Sequence, residues 1–364
     1  MRNLRSLCLG LFALGMLTNE AVLAQELYFP PDDGAWEHID PAAAGWDAAQ
    51  LDKALEIAAA RNSSGVVVLH QGRILAERYW DLPDPPLRYR NYVTGHDAAG
   101  QAIEDVASAQ KSVVAVITGM AQERGYLAID DPVAKYLGTG WSQTAAANEN
   151  QITIRHLLSM TSGLADDLTL QAAPGTAWRY NTPAYHLLMR AIIAATGLER
   201  DVLTSSWITD KLGMQDSAWT PRPWASTDIG VGFSTNARDL ARFGLMIQAG
   251  GKWRDEVVIG DTAYLQAMLS PSQALNPAYG FLWWVNGQEF ALGAGARATR
   301  SDGALIPDAP ADMIAMQGAE DRKLYLVPSL NLIVTRLGYS SEVDGESFND
   351  AFWRALIAAA PRSR

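Results

Sequence analysis

Ser108 and Lys111 stand three residues apart at the head of an apolar stretch, Asp105-Val106-Ala107-Ser108-Ala109-Gln110-Lys111-Ser112-Val113-Val114-Ala115-Val116-Ile117-Thr118-Gly119-Met120. Apolar residues surround this predicted helix on nearly all sides, so it should be central and buried. Ser108 falls at its start, and Lys111 lies one turn along the same face. Desolvation penalises an ammonium and lowers a lysine pKa. A neutral amine there can take the proton of Ser108 and make its hydroxyl a nucleophile. The N-terminus of the helix adds N–H groups and positive potential where a tetrahedral oxyanion would form. The same two residues also fit an N-capping serine and a snorkelling lysine.

Other chemistries lack their residues. The chain has no G-x-S-x-G, no H-E-x-x-H, no G-x-x-x-x-G-K-[ST] and no G-x-G-x-x-G opening a helix. Its five histidines, His38, His70, His96, His156 and His186, never pair at ligand spacing, so no metal and no cofactor is expected. Each reads equally as a surface or satisfied core residue. Cys8 is the only cysteine, and it lies in the first 24 residues. Arg2 and Arg5 precede an apolar run from Leu7 to Leu17, followed by Val22-Leu23-Ala24, the layout of an export leader cut after Ala24. The remaining chain would then be thiol-free, exported to the periplasm or medium, and without a stable membrane span. Losing Arg2, Arg5 and Glu20 takes the formal charge from −11 to −12. No basic cluster offsets that charge, so nucleic acid is not an expected partner.

The elements that must position Ser108 are strands at both chain ends and helices between. At 364 residues the chain can bury a large core. Residues 47–61 have helical spacing, and Val66–His70, Gln71-Gly72 and Arg73–Trp80 read as a β-hairpin. Residues 81–100, with Pro83, Pro85 and Pro86, read as a crossing loop. Helices are expected at 108–124, 152–159, 183–196, 201–211 and 236–249. Strands follow at 311–317, 323–328 and 331–338, and a helix at 347–360 closes the chain. The expected class is α+β: an antiparallel sheet flanked by helices, built from residues 25–100 and 262–364, with residues 101–261 as an inserted helical domain. The site should lie in the groove between the two.

Five motifs in order resemble the serine β-lactamase and penicillin-binding superfamily, in the branch of class C β-lactamases, secreted esterases and 6-aminohexanoate-oligomer hydrolases. They are Ser108-Ala109-Gln110-Lys111, Asp130–Leu137, Ile152–Leu164, Pro174–Thr182 and Phe233–Gly244. The resemblance runs from Val66 to Gly338. It implies that Tyr180 is a second general acid or base beside Lys111; packed in the core, it would be a structural tyrosine instead. It also implies that Asn181 or Thr182 lines the site, because the family's asparagine stands two places after its tyrosine and Thr182 holds that slot here. The family's K-T-G strand motif is replaced by Met316-Gln317-Gly318. Gly318 permits close backbone approach, Gln317 and Gly318 would contact substrate, and the N–H groups of Ala319 and Ser108 would form the oxyanion hole. With no lysine in that motif, uncharged substrates are favoured. The implied activity is that of a carboxylesterase acting on a small-molecule ester through an acyl-enzyme. An amide hydrolase of short ω-amino or D-amino oligomers and a β-lactamase follow, and a catalytically silent cell-wall ligand-binding protein is the rival of another class. Trp178, Trp219, Trp224, Trp283 and Trp284 could line a pocket or fill the core. Strand alternation would put Trp283 and Trp284 on opposite faces, at most one of them interior.

Overall fold

The computed structural model describes residues 27–32, 35–225, 230–295, 299–340 and 345–361. The leader read at residues 1–24 lies outside them.

Two antiparallel sheets carry the α+β fold. The larger is six-stranded, with β1 (Ser63–His70), β2 (Arg73–Tyr79), β7 (Trp284–Val285), β8 (Ile314–Gly318), β9 (Arg322–Val327) and β10 (Leu332–Gly338) in the order β2-β1-β10-β9-β8-β7. Strands from both chain ends therefore meet at its centre, where Val66 to Leu69 and Leu332 to Val334 are fully buried. The β1–β2 hairpin turns on Gln71 and Gly72, both left-handed at φ 55° and 83°. A Cβ on Gly72 would stand 1.9 Å from the Tyr28 carbonyl oxygen, so that position excludes any side chain.

The second sheet, β3 (Val93–His96), β4 (Ala102–Asp105), β5 (Ala218–Pro221) and β6 (Val231–Thr235), runs β3-β4-β6-β5. Its strands are only four or five residues long and mix polar with apolar residues without a clear alternation. Residues 81–100 are thus more than a crossing loop: they hold a helical turn at Leu87–Arg90 and strand β3.

Helices α1 (Ala48–Ala60) and α5 (Phe348–Ala359) pack on each other, and Trp353 of α5 lies edge-on to Tyr325 of β9. Helix α2 (Gln110–Glu123) is the hub, buried at every residue from Gln110 to Ala121. Helix α3 (Thr182–Thr196) packs across it. Asn181 caps α3, Pro183 sits in its first turn, and Gly197 ends it at φ 71°. Helix α4 (Ala237–Gln248), read from sequence as part of the inserted half, packs on β1, β9 and β10 of the large sheet.

One buried carboxylate ties the two sheets together. Glu104 of β4, fully buried, accepts from Arg322 Nε at 2.9 Å, the Tyr89 hydroxyl at 2.7 Å, the Gly338 N–H at 3.1 Å, and the Ser64 hydroxyl. Removing one partner of such a pair strands the other charge, typically at about 3–5 kcal/mol. Among the described residues, no helix is long and apolar enough to cross a membrane.

Candidate active site

Strand β4 delivers the chain into a tight turn ahead of α2. Ala107 is left-handed at φ 51°, a conformation costly for a residue with a Cβ, and the Asp105 carboxylate holds it by accepting the Ala107 N–H at 2.8 Å. The turn continues as a single 3₁₀ turn, Ala107–Ala109, that carries Ser108 at its centre.

Lys111 Nζ lies 3.1 Å from Ser108 Oγ. The lysine is 2% exposed, and burial, with the Arg222 charge adding to it, brings its pKa down to about 7. The Tyr180 and Tyr185 rings cover the amine, at 4.9 and 4.8 Å from Nζ to their centroids. Tyr180 is partly buried, and desolvation pushes its hydroxyl up to about 12, an effect that hydrogen bonding to Ser108 offsets in part. Tyr180 therefore rests as a phenol. His186, next on α3, is held neutral, its pKa lowered to about 4 by burial and by the Lys111, Arg222 and Arg200 charges. Tyr180, some seventy residues on in sequence, is thus brought to Ser108 and Lys111.

The strand motif is brought there too. A Cβ on Gly318 would stand 2.1 Å from the Val106 carbonyl oxygen, so β8 runs hard against the nucleophile turn and only glycine fits. Ala319 follows at the exposed end of the strand. Gln317 pairs across to Lys323, whose Nζ donates to its Oε1 at 2.8 Å. A lysine therefore stands beside this motif after all, on the neighbouring strand, where burial lowers its pKa and Asp321 pairs with it at 3.4 Å.

Asn181 is engaged elsewhere. Its Nδ2 donates to the Leu164 and Ala165 carbonyls at 2.8 and 2.9 Å, its Oδ1 accepts the Ala184 N–H at 2.9 Å, and it is 1% exposed. Both of its amide donors and one acceptor lone pair are thus engaged within the protein; of the two residues read as alternatives, Asn181 serves as the cap of α3. Thr182 opens α3 and is partly exposed.

The tryptophans divide by position. Trp178 and Trp284 join Tyr279 in an aromatic cluster around Tyr180, whose ring stacks on Trp284 at 6.1 Å and 19°. Trp283 is wholly buried and stacks on Phe243 of α4, so both rings of the Trp283-Trp284 pair are interior because both faces of β7 are covered. Trp219 donates to Thr204, and Trp224, partly exposed at the surface, donates to the Asn91 carbonyl. A cavity of about 310 Å³ beside the cluster is lined by Leu164, Gln171, Ala177, Trp178 and Arg179. A larger one, about 570 Å³ between β2 and the β3–β4 hairpin, touches neither Ser108 nor Lys111. Chemistry rather than volume marks the site.

Sequence reasoning missed Asp105, Arg222 and Tyr185. Asp105 and Tyr185 adjoin motif residues, a local signal that was there to use. Arg222 reaches the site only through strand pairing.

The Beta-lactamase family model matches residues 48–335, and the chain belongs to that family. It is 27% identical over 220 residues to Esterase EstB of Burkholderia gladioli, covering 49% of this chain and 54% of that protein. It is 27% identical over 143 residues to the D-alanyl-D-alanine-carboxypeptidase/endopeptidase AmpH of Escherichia coli K12, covering 32% of this chain and 37% of that one. The chain thus spans about half of the esterase and about a third of the carboxypeptidase. A solved chain from Bacteroides dorei, provisionally described as a β-lactamase, superposes with a TM-score of 0.65 at 20% identity, covering 86% of this chain and 99% of that one, a likeness that speaks for the fold.

Proposed function

We propose that this member of the β-lactamase family is an exported carboxylesterase that works through an acyl-enzyme on Ser108. The observation that carries the reading is the buried amine of Lys111, 3.1 Å from Ser108 Oγ and brought down to a pKa near neutrality. Lys111 takes the hydroxyl proton as Oγ attacks the ester carbonyl carbon. The N–H groups of Ser108 and Ala319 hold the resulting oxyanion. As the tetrahedral adduct collapses, the Tyr180 phenol protonates the departing alkoxide and is replenished from Lys111. Water, activated by the same pair, then releases the acid.

Two features favour uncharged esters. Met316 occupies the slot of the family's strand lysine and is fully buried. Lys323 is already engaged by Gln317 and Asp321. The kinship with Esterase EstB points the same way. Amide hydrolysis is the second reading, favoured by the likeness to the carboxypeptidase AmpH. Export rests on the charged start and apolar run before Ala24.

A panel assayed side by side tests the choice: p-nitrophenyl acetate and octanoate, 6-aminohexanoate dimer, a D-alanyl dipeptide and nitrocefin. The esters should be turned over with the highest kcat/KM. Preference for the amide substrates would replace esterase by amidase, and turnover of none would favour the binding protein.

A further inference from the structure

We infer that Arg222 is a positioning residue for the Ser108–Lys111 pair, holding the nucleophile turn through Asp105 and the first turn of α2 through Gln110. This deepens the serine-hydrolase reading above and rests on it.

Arg222 follows β5, between Pro221 and Pro223, and its N–H bonds the Gly230 carbonyl at 2.7 Å across the base of the β5–β6 hairpin. Its guanidinium, 8% exposed, forks onto Asp105, with Nε to Oδ2 at 2.5 Å and Nη2 to Oδ1 at 2.7 Å. That same Oδ1 takes the N–H of left-handed Ala107, the residue before the nucleophile. Nη2 also donates to Gln110 Oε1 at 3.1 Å, an oxygen that accepts the Phe233 N–H at 3.1 Å as well. Gln110 is the residue between Ser108-Ala109 and Lys111. One planar cation therefore fixes the residues on both sides of Ser108, a task that suits the rigid fork of arginine. The hairpin is shaped to admit it: a Cβ on Gly232 would stand 2.1 Å from Asp105 Oδ2.

A buried ion pair is poor evidence for stability, since apolar residues of like volume often serve better. Its placement suggests a second duty. The groups facing Lys111 are Tyr180, Tyr185 and His186, all neutral, and Arg222 with its partner Asp105; the Arg200 charge acts on Tyr185 and His186. The Arg222 charge opposes the ammonium form of Lys111 and favours the amine that accepts the Ser108 proton.

The test is kcat/KM for p-nitrophenyl acetate from pH 5 to 10 in the full-length wild type, Arg222→Gln and Arg222→Lys, with folding checked by thermal melts. Arg222→Gln, losing the charge, should move the acid limb up by about one pH unit. Arg222→Lys, keeping the charge but losing the fork, should leave the limb in place and lower kcat/KM by about tenfold. An unmoved limb in Arg222→Gln, or a Lys variant that shifts equally, would overturn the electrostatic duty. Full activity in Arg222→Lys would overturn the positioning duty. If Arg222→Gln does not fold, Gln110→Met cuts one tether without touching charge: reduced kcat with an unmoved limb supports the inference, and unchanged kcat contradicts it. A fluorophosphonate separates the two levels. A wild type it does not label fails the hydrolase reading and this inference with it, whereas a labelled wild type with insensitive variants fails this inference alone.

Discussion

Lys111 Nζ and Ser108 Oγ lie 3.1 Å apart, the contact on which the proposed nucleophile activation depends. It works in one protonation state. An ammonium can only donate to Oγ, whereas an amine can accept from it. With the Lys111 pKa brought down to about 7, kcat/KM should rise with pH through neutrality and level off above it. The midpoint belongs to the coupled Lys111–Tyr180 pair, and a pH–rate profile with a neutral ester reads it. A midpoint near that of free lysine, ~10.4, would mean that the amine is not desolvated in solution.

The same burial should cost stability. Between pH 7 and about 10 the unfolded chain binds a proton at Lys111 that the folded chain does not, so stability rises with pH across that window. Lys111→Met removes this penalty while keeping the volume. The variant should be inactive yet more stable at pH 7, by an amount on the order of a few kcal/mol. Denaturant melts at pH 7 and pH 10 check both the gain and its narrowing at high pH.

Tyr180→Phe separates proton transfer from packing. The phenyl ring keeps its stack on Trp284, so the melting temperature should change little. Turnover should fall by about 10²–10⁴-fold. The loss should be larger for alkyl esters, whose leaving group needs a proton, than for p-nitrophenyl esters, which do not. Equal losses for both would assign Tyr180 a role in binding rather than as an acid.

Gly318 sets the distance between β8 and the nucleophile turn. A methyl group there meets the Val106 carbonyl oxygen at 2.1 Å, and backbone must move. Gly318→Ala should lower kcat/KM by about 100-fold through misplacement of the reacting groups. Steady-state kinetics beside a thermal melt would tell that local effect from unfolding.

Much of the site's core was legible because it is local. The unbroken apolar character of Val113 to Ile117 announced a buried helix, with Lys111 in its first turn and Ser108 in the 3₁₀ turn that leads into it. The large sheet was legible for the same reason, since β1, β2, β9 and β10 alternate or run apolar around turn residues. The small sheet was not: Ala102–Asp105 and Ala218–Pro221 carry almost no period, and Glu104 and Asp105 look like solvated acids until Arg322 and Arg222 arrive from afar. At Asn181 the sequence left two readings open, because cap and ligand draw on the same amide chemistry. Only the Leu164 and Ala165 carbonyls, which sequence does not place, decide between them.

The central claim is that the desolvated Lys111 amine makes Ser108 a nucleophile. It is tested most directly by intact-mass and peptide mapping after brief exposure to a fluorophosphonate at pH 8. One adduct on Ser108 is expected in the wild type, with none in Ser108→Ala and strongly slowed labelling in Lys111→Met. Labelling of Ser108 that proceeds as fast without the lysine, or a folded wild type that takes no adduct, would contradict it.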